Sequence, residues 1–138
     1  MANQMQSAGG RERMYWLGWV LSGLAIAFLL MDAAMKLLAL PVALEASGEL
    51  GFSGADMARG LGIILLLCTL LYVAPQTAVL GAVLLTGYLG GAVATHVRVG
   101  SPLFTHILFG VYLGVVLWGG LYLRDARLRA LFPVRTNA

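Results

Sequence analysis

Charged residues are scarce in this chain. Aspartate, glutamate, lysine and arginine make up 11% of its 138 residues, whereas a soluble domain carries about 25%. So little charge excludes an ordinary water-soluble domain. Hydrophobic residues account for 60% of the sequence and the mean hydropathy is +0.88. The balance predicts an integral membrane protein, with room for one domain of three or four spans and no second domain.

Cysteine and histidine are also rare. The single cysteine, Cys68, lies in an apolar run, which excludes an internal disulfide or a relay of two thiols. The two histidines, His96 and His106, are ten residues apart without a defined acid spacing, so they support a metal site only weakly. Haem and iron–sulfur spacings are missing. No basic stripe with interleaved aromatics indicates nucleic acid binding.

Four apolar runs are long enough to cross a hydrocarbon layer of about 30 Å, which takes roughly 20 helical residues. They predict spans at about residues 14–40, 55–74, 77–97 and 103–123. The expected fold is therefore all-α, a transmembrane bundle of four helices. Ser101 and Pro102 are typical of a helix start, and residues 42–52 form the one sizeable predicted loop.

The basic residues predict the orientation of the bundle. Six of them lie before the first span or after the fourth: Arg11, Arg13, Arg124, Arg127, Arg129 and Arg135. Three lie toward the other side: Lys36, Arg59 and Arg98. Because cytoplasmic ends carry the excess of lysine and arginine, both termini are expected in the cytoplasm of a bacterium, with the protein in the inner membrane.

Polar side chains gather at the opposite, outer end of the predicted spans, and every span contributes some. They are Asp32, Lys36, Asp56, Arg59, His96, Arg98 and His106. No acid, base or histidine is expected in the cytoplasmic half. Since charged groups in a membrane usually face the bundle interior and pair, these seven residues predict a polar pocket at the outer end.

The sequence predicts two ion pairs within this group. Asp32 and Lys36 share a helical face in the favoured acid-before-base order. Arg59 is expected to lie deeper and to pair with Asp32 across the bundle, so that Arg59→Leu should harm the protein more than Lys36→Leu. Each residue also has a simpler interpretation than membership of a pocket. Lys36 and Arg98 could extend to the outer headgroups, Asp56 could cap a helix, and His96 could be a solvated loop residue.

Glycine spacing indicates close helix contacts. Gly87 and Gly91 in the third span, and Gly110 and Gly114 in the fourth, have the small-xxx-small spacing that lets backbones approach. We interpret both motifs as packing within the bundle, with a homodimer as a second use.

Three segments resemble the DoxX-like family of small four-span membrane proteins. They are MDAAMKLL (residues 31–38), GADMARGLGIILLL (54–67) and GYLGGAVATHVRVGSP (87–102). The resemblance implies a four-helix membrane bundle. Its broader group includes subunits associated with thiosulfate:quinone oxidoreduction and the receptor-assembly chaperone NACHO. The family often has an acid where the second span opens, and Arg59 stands in that neighbourhood, so no role is carried over for that acid.

Two classes of function fit these observations. The first is a protein that binds a quinone or another lipophilic ligand through donors such as His96, His106 and Arg59, and takes electrons from a redox partner because the chain has no electron carrier of its own. The second is a non-catalytic assembly factor, chaperone or accessory subunit whose polar residues are structural. A transporter is disfavoured because no polar path continues through the cytoplasmic half. Whether the chain is an enzyme stays open.

Overall fold

The structure is a computed structural model and describes residues 1–135. Within those residues the chain is helical and contains no strand. The elements are α1 (Ala2–Leu37), α2 (Pro41–Glu49), α3 (Ala55–Val73), α4 (Ala78–Val99), a π-helical turn (Leu103–Ile107), α5 (Phe109–Arg124) and α6 (Ala126–Leu131).

Four helical stretches are long and apolar enough to cross a membrane, which confirms the predicted number of spans. They are α1, α3, α4 and the stretch Leu103–Arg124, in which the π-helical turn leads into α5. Their large apolar side chains are widely exposed on the outside of the bundle, as expected of a surface that faces lipid rather than water. The chain is an all-α multi-pass membrane protein.

Helix α1 is longer than the sequence predicted. It begins at Ala2 rather than near residue 14 and has 36 residues, or about 54 Å at 1.5 Å per residue. The first 13 residues are exposed on every side and so extend beyond the packed part of the bundle. Because they include no proline and several good helix formers, nothing local ends the helix before the apolar run begins.

The predicted loop between the first two spans contains a helix. Helix α2 begins with Pro41 at its first position, where the missing N–H of proline costs nothing. It buries Ala43 and Ser47 and ends before Leu50. The expectation of an unstructured loop over residues 42–52 was therefore wrong for most of that segment.

The four spanning segments form a closed ring. Helix α1 packs against α3 and α5, and α4 packs against the same two helices from the other side. Leucines from all four fill the centre, among them Leu29, Leu65, Leu85 and Leu117, each at most 1% exposed. Each helix runs antiparallel to its neighbours, so the start of the first span and the end of the fourth lie at the same end of the ring, which we call the terminal end.

The glycine motif on α5 is packed against a neighbouring helix, whereas the motif on α4 is not. A Cβ on Gly110 would lie 3.2 Å from the carbonyl oxygen of Leu89, and one on Gly114 would just reach the Leu89 side chain. This confirms that the motif on α5 packs within the bundle. Nothing lies within 4 Å of a Cβ placed on Gly87 or Gly91. The α4 motif faces outward, so packing inside the bundle was the wrong interpretation for it.

Candidate functional site

Asp32 and Lys36 form an ion pair on the last turns of α1. The Lys36 ammonium donates to Asp32 Oδ2 over 2.5 Å, and the two side chains are only 15% and 27% exposed, lysine first. Lys36 lies against α3: a Cβ placed on Gly62 would be 3.0 Å from the Cβ of Lys36. The pair is therefore a partly buried charge cluster at the non-terminal end of the bundle.

Arg59 does not reach this pair, which corrects the predicted contact with Asp32. Its Nη1 atom lies 3.6 Å from Asp56 Oδ1 on its own helix, and the arginine and aspartate side chains are 51% and 104% exposed. The inward face of α3 is formed by Ala58 and Gly62, and Arg59 lies about 100° around the helix from Ala58. Helix rotation, which depth along the chain does not reveal, turns it outward.

The capping role considered for Asp56 is not seen either. Gly54 occupies the N-cap position of α3 and no side chain caps the helix. The exposed carboxylate of Asp56 instead stands beside Arg59, in a pair of the kind that contributes little to stability.

The two histidines meet at the same end of the bundle. Their ring centroids are 5.7 Å apart, with planes at 65°. His96 Nδ1 shares a hydrogen bond of 2.9 Å with Ser101 Oγ, and His106 Nδ1 shares one of 2.7 Å with Thr105 Oγ1. The Ser101 hydroxyl therefore holds a histidine rather than capping the fourth span. Both of these hydrogen bonds involve Nδ1, and neither Nε2 atom has a hydrogen-bond partner among residues 1–135.

A π-helical turn places His106 beside His96. Residues Leu103–Ile107 are wound more widely than an α-helix, a feature that often occurs at functional sites. The turn follows directly on the tight connection after α4, which ends with Gly100 in the left-handed conformation. The His106 side chain is exposed, so the structure places it at the surface of the bundle end rather than in an enclosed cavity.

Arg98 has a different neighbour. Its guanidinium donates to the carbonyl oxygen of Leu50 over 3.2 Å and lies beside Gly51, so it ties the end of α4 to the segment after α2. The seven predicted residues thus form an ion pair, a second exposed pair, a histidine pair and a single tethering arginine. The structure brings them to one end of the bundle in separate groups, and a single shared pocket stays a prediction.

A surface groove lies between α4 and α5. It has a volume of about 390 Å³ and is almost entirely apolar. Leu89, Gly90 and Val93 line it on α4, and Gly110 and Gly114 are among its residues on α5. His96 and His106 lie about one helical turn beyond Val93 and Gly110 on the same two segments. The sequence did not suggest this groove, because it depends on how two glycine-bearing faces pack.

A buried polar cluster at the terminal end was also missed. Ser22, Thr69 and Tyr72 are 0% exposed, and Arg124 turns back from the end of α5 so that its Nε donates to Ser22 Oγ over 3.0 Å. A Cβ on Gly120 would lie 2.7 Å from the Ser22 backbone nitrogen. The signal in the sequence was a serine and a tyrosine within apolar runs, but Arg124 had been assigned only to topology.

Comparison with known proteins agrees with this architecture. No match to the chain is found among curated proteins or among solved structures. The sequence model of the DoxX-like family matches residues 20–120, a range that contains the spanning helices from within α1 to within α5. Because this range covers most of the chain, the protein belongs to the DoxX-like family.

Proposed function

We propose that this DoxX-like protein binds a quinone or a similar lipophilic ligand at the outer end of the bundle and acts with a redox partner. The observation that carries the proposal is the histidine pair at the end of the α4–α5 groove. The groove offers an apolar surface for a hydrocarbon tail. The two unpartnered Nε2 atoms provide hydrogen-bonding groups for a polar head, as ligand sites typically combine a few polar groups with apolar walls.

The chemistry of a quinone fits these groups. Its two carbonyl oxygens accept hydrogen bonds, and its reduction to a quinol takes up two electrons and two protons. An imidazole ring can both accept and donate a proton, so His96 and His106 are suited to pass protons between the quinone ring and the aqueous face. The electrons would come from a partner protein of the redox class, because the chain has a single cysteine, Cys68, and no sequence spacing for an electron-carrying cofactor.

The Asp32–Lys36 pair at the same end of the bundle supports the proposal. It lies on α1, with its lysine largely buried, and keeps a charged pair in a region where an isolated charge would be costly. We assign it a supporting role in the local electric field, and we assign Asp56, Arg59 and Arg98 no contact with the ligand.

Mass spectrometry of organic extracts from the mildly purified protein tests the proposal. We expect the wild-type protein to carry about one quinone-class molecule, and the His96→Ala, His106→Ala double variant to lose it. Gly90 lines the groove and a Cβ placed on it meets nothing within 4 Å, so Gly90→Leu should narrow the groove and also expel the ligand. Gly87→Leu, equally open but outside the groove, is the matched control. Bulk lipid alone in all four proteins would refute the proposal.

An accessory or chaperone-like role without catalysis is the second candidate. It is favoured by the open face of α4 around Gly87 and Gly91, where a Cβ would meet nothing within 4 Å and where another transmembrane helix, in a partner or in a second copy, could approach closely. Under this role Gly87→Leu would break a complex or a homodimer while the extracts contain no bound ligand. Crosslinking in membranes, set beside the extraction, therefore separates the two functions.

A further inference from the structure

The guanidinium of Arg124 is held in place between α1, α3 and α5. Its Nε donates to Ser22 Oγ over 3.0 Å. Its Cζ lies 4.2 Å from the centroid of the Trp19 ring and 5.3 Å from that of Tyr72. Two aromatic faces and a buried hydroxyl therefore fix a permanent cation at the terminal end of the bundle, where arginine could otherwise extend into water.

The hydrogen bonds around Arg124 have only one consistent direction. Tyr72 donates its single hydroxyl proton to the carbonyl oxygen of Leu117 over 2.5 Å. The 3.0 Å contact between Ser22 Oγ and the Tyr72 hydroxyl must then have the serine as donor. Ser22 in turn accepts from Arg124. The chain of donors runs away from the guanidinium and ends on a neutral carbonyl, so none of these groups neutralises the positive charge.

No carboxylate compensates Arg124 within the described chain. The ion pairs among residues 1–135 are Asp32 with Lys36 and Asp56 with Arg59, both at the other end of the bundle. The adjacent Asp125 uses its carboxylate to cap α6, accepting from the backbone N–H groups of Arg127 and Leu128. The Arg124 Nη2 atom is buried without a hydrogen-bond partner. A partly buried cation in this state calls for an anion.

We propose that Arg124 binds a phosphate oxyanion, supplied by the headgroup of a membrane phospholipid. A planar guanidinium matches two phosphate oxygens through its two terminal nitrogens, and neither Nη1 nor Nη2 of Arg124 has an acceptor in the described chain. Nη2 is buried, so the phosphate contacts Nη1 first and reaches Nη2 as the side chain turns toward the headgroups. Trp19 contacts the guanidinium, and Trp118 and Tyr122 lie within about two turns of Arg124 on α5, an arrangement typical of aromatic residues at the headgroup level. Phospholipid phosphates are therefore available at the depth of the guanidinium. This site is independent of the proposed quinone site.

Native mass spectrometry with added phosphatidylglycerol tests the assignment. The protein is purified in a non-ionic detergent, together with Arg124→Gln and with Arg127→Gln as a matched control, since Arg127 is exposed and outside the cluster. We expect one lipid to stay on the wild-type protein and on Arg127→Gln, and its affinity to fall by about tenfold or more in Arg124→Gln. Equal retention by Arg124→Gln would overturn the proposal.

Two further measurements cover the remaining outcomes. If Arg124→Gln does not fold, Arg124→Lys keeps the charge but presents no planar pair of donors, and we expect it to lose most of the lipid; unchanged binding would overturn the proposal. Thermal unfolding of the delipidated protein in inorganic phosphate, against chloride at equal ionic strength, distinguishes the source of the anion. Stabilisation by free phosphate that depends on Arg124 would support the phosphate site, whereas neither lipid nor phosphate binding would refute it.

Discussion

At the scale of single residues, the face on which a charge lies matters more than its distance along the helix. Arg59 was expected to be the deeper and more demanding cation, yet its side chain is 51% exposed. Lys36 is only 15% exposed and its ammonium is bound to Asp32. The expected order of the two leucine substitutions is therefore reversed by the structure.

We predict that Lys36→Leu destabilises the protein by about 1–2 kcal/mol, because it leaves the partly buried Asp32 carboxylate without its partner. Arg59→Leu removes half of an exposed pair and should cost less than about 1 kcal/mol. The midpoint of thermal unfolding in one detergent measures both. Replacing Asp32 and Lys36 together by leucine should recover part of the loss, since no charge is then left unpaired. A larger loss for Arg59→Leu would contradict the placement of these side chains.

The sequence predicted which residues belong to a site and which of them pair within one helix, but not which residues pair between helices. The Asp32–Lys36 pair was predictable because four residues separate its members on one helix. The contacts of Arg124 with Ser22 and Trp19 join positions about a hundred residues apart. Hydropathy and charge counts contain no information about such a contact, because it depends on which helices become neighbours.

At the scale of elements, glycines decide how closely the helices approach. Gly18 on α1 and Gly120 on α5 face each other: a Cβ on Gly18 would lie 2.7 Å from the Gly120 carbonyl oxygen. Lipid tails are as apolar as leucine, so the attraction between spanning helices comes mainly from close packing rather than from the hydrophobic effect. The contact between α1 and α5 therefore requires residues without side chains at this point.

Two neighbouring glycines on α5 provide a direct test. We predict that Gly120→Ala destabilises the bundle by about 1–3 kcal/mol, because its Cβ would lie 2.7 Å from the Ser22 nitrogen and force α1 and α5 apart. Gly119→Ala meets nothing within 4 Å and should leave stability unchanged or raise it by up to about 1 kcal/mol through helix propensity. Unfolding by increasing denaturing detergent measures the difference, and similar values for the two variants would contradict the close contact.

The spans themselves were predictable, and their ends less so. Length and apolar character fix the number of crossings because the hydrocarbon layer demands about 20 apolar residues for each. The early start of α1 at Ala2 and helix α2 lie outside those runs, and the π-helical turn lies at the beginning of the fourth run, whose apolar character does not distinguish it from an α-helix. They form where local propensity or a tertiary contact acts, and the hydrophobic pattern is silent there.

At the scale of the whole molecule, both ends of the described chain lie at the same end of the bundle, and the basic residues are divided unequally between its two ends. Six arginines lie at the terminal end and three basic residues at the other. The excess predicts that the terminal end faces the cytoplasm, so that the histidine pair faces outward.

Cysteine labelling tests this orientation. Cys68 is buried, and its replacement by alanine gives a background without thiols. We predict that Glu49→Cys, on the exposed end of α2, reacts with a membrane-impermeant maleimide in intact cells. Ser7→Cys, on the exposed start of α1, should react only after the membrane is opened. The wild-type protein, whose single cysteine is the buried Cys68, should react in neither case. The opposite labelling of the two new cysteines would show that the orientation is the reverse of the predicted one.

The sequence by itself determined that this protein spans a membrane four times with helices, and that its basic residues divide unequally between the two ends of the bundle. Both follow from composition and from distance along the chain, which a thin apolar layer converts directly into structure. Only the tertiary structure decided that Arg59 turns outward, that Lys36 is the buried cation, and that Arg124 turns inward. Those outcomes depend on the rotation of each helix about its axis and on where glycines let neighbours approach, and both are settled by packing among all four spans.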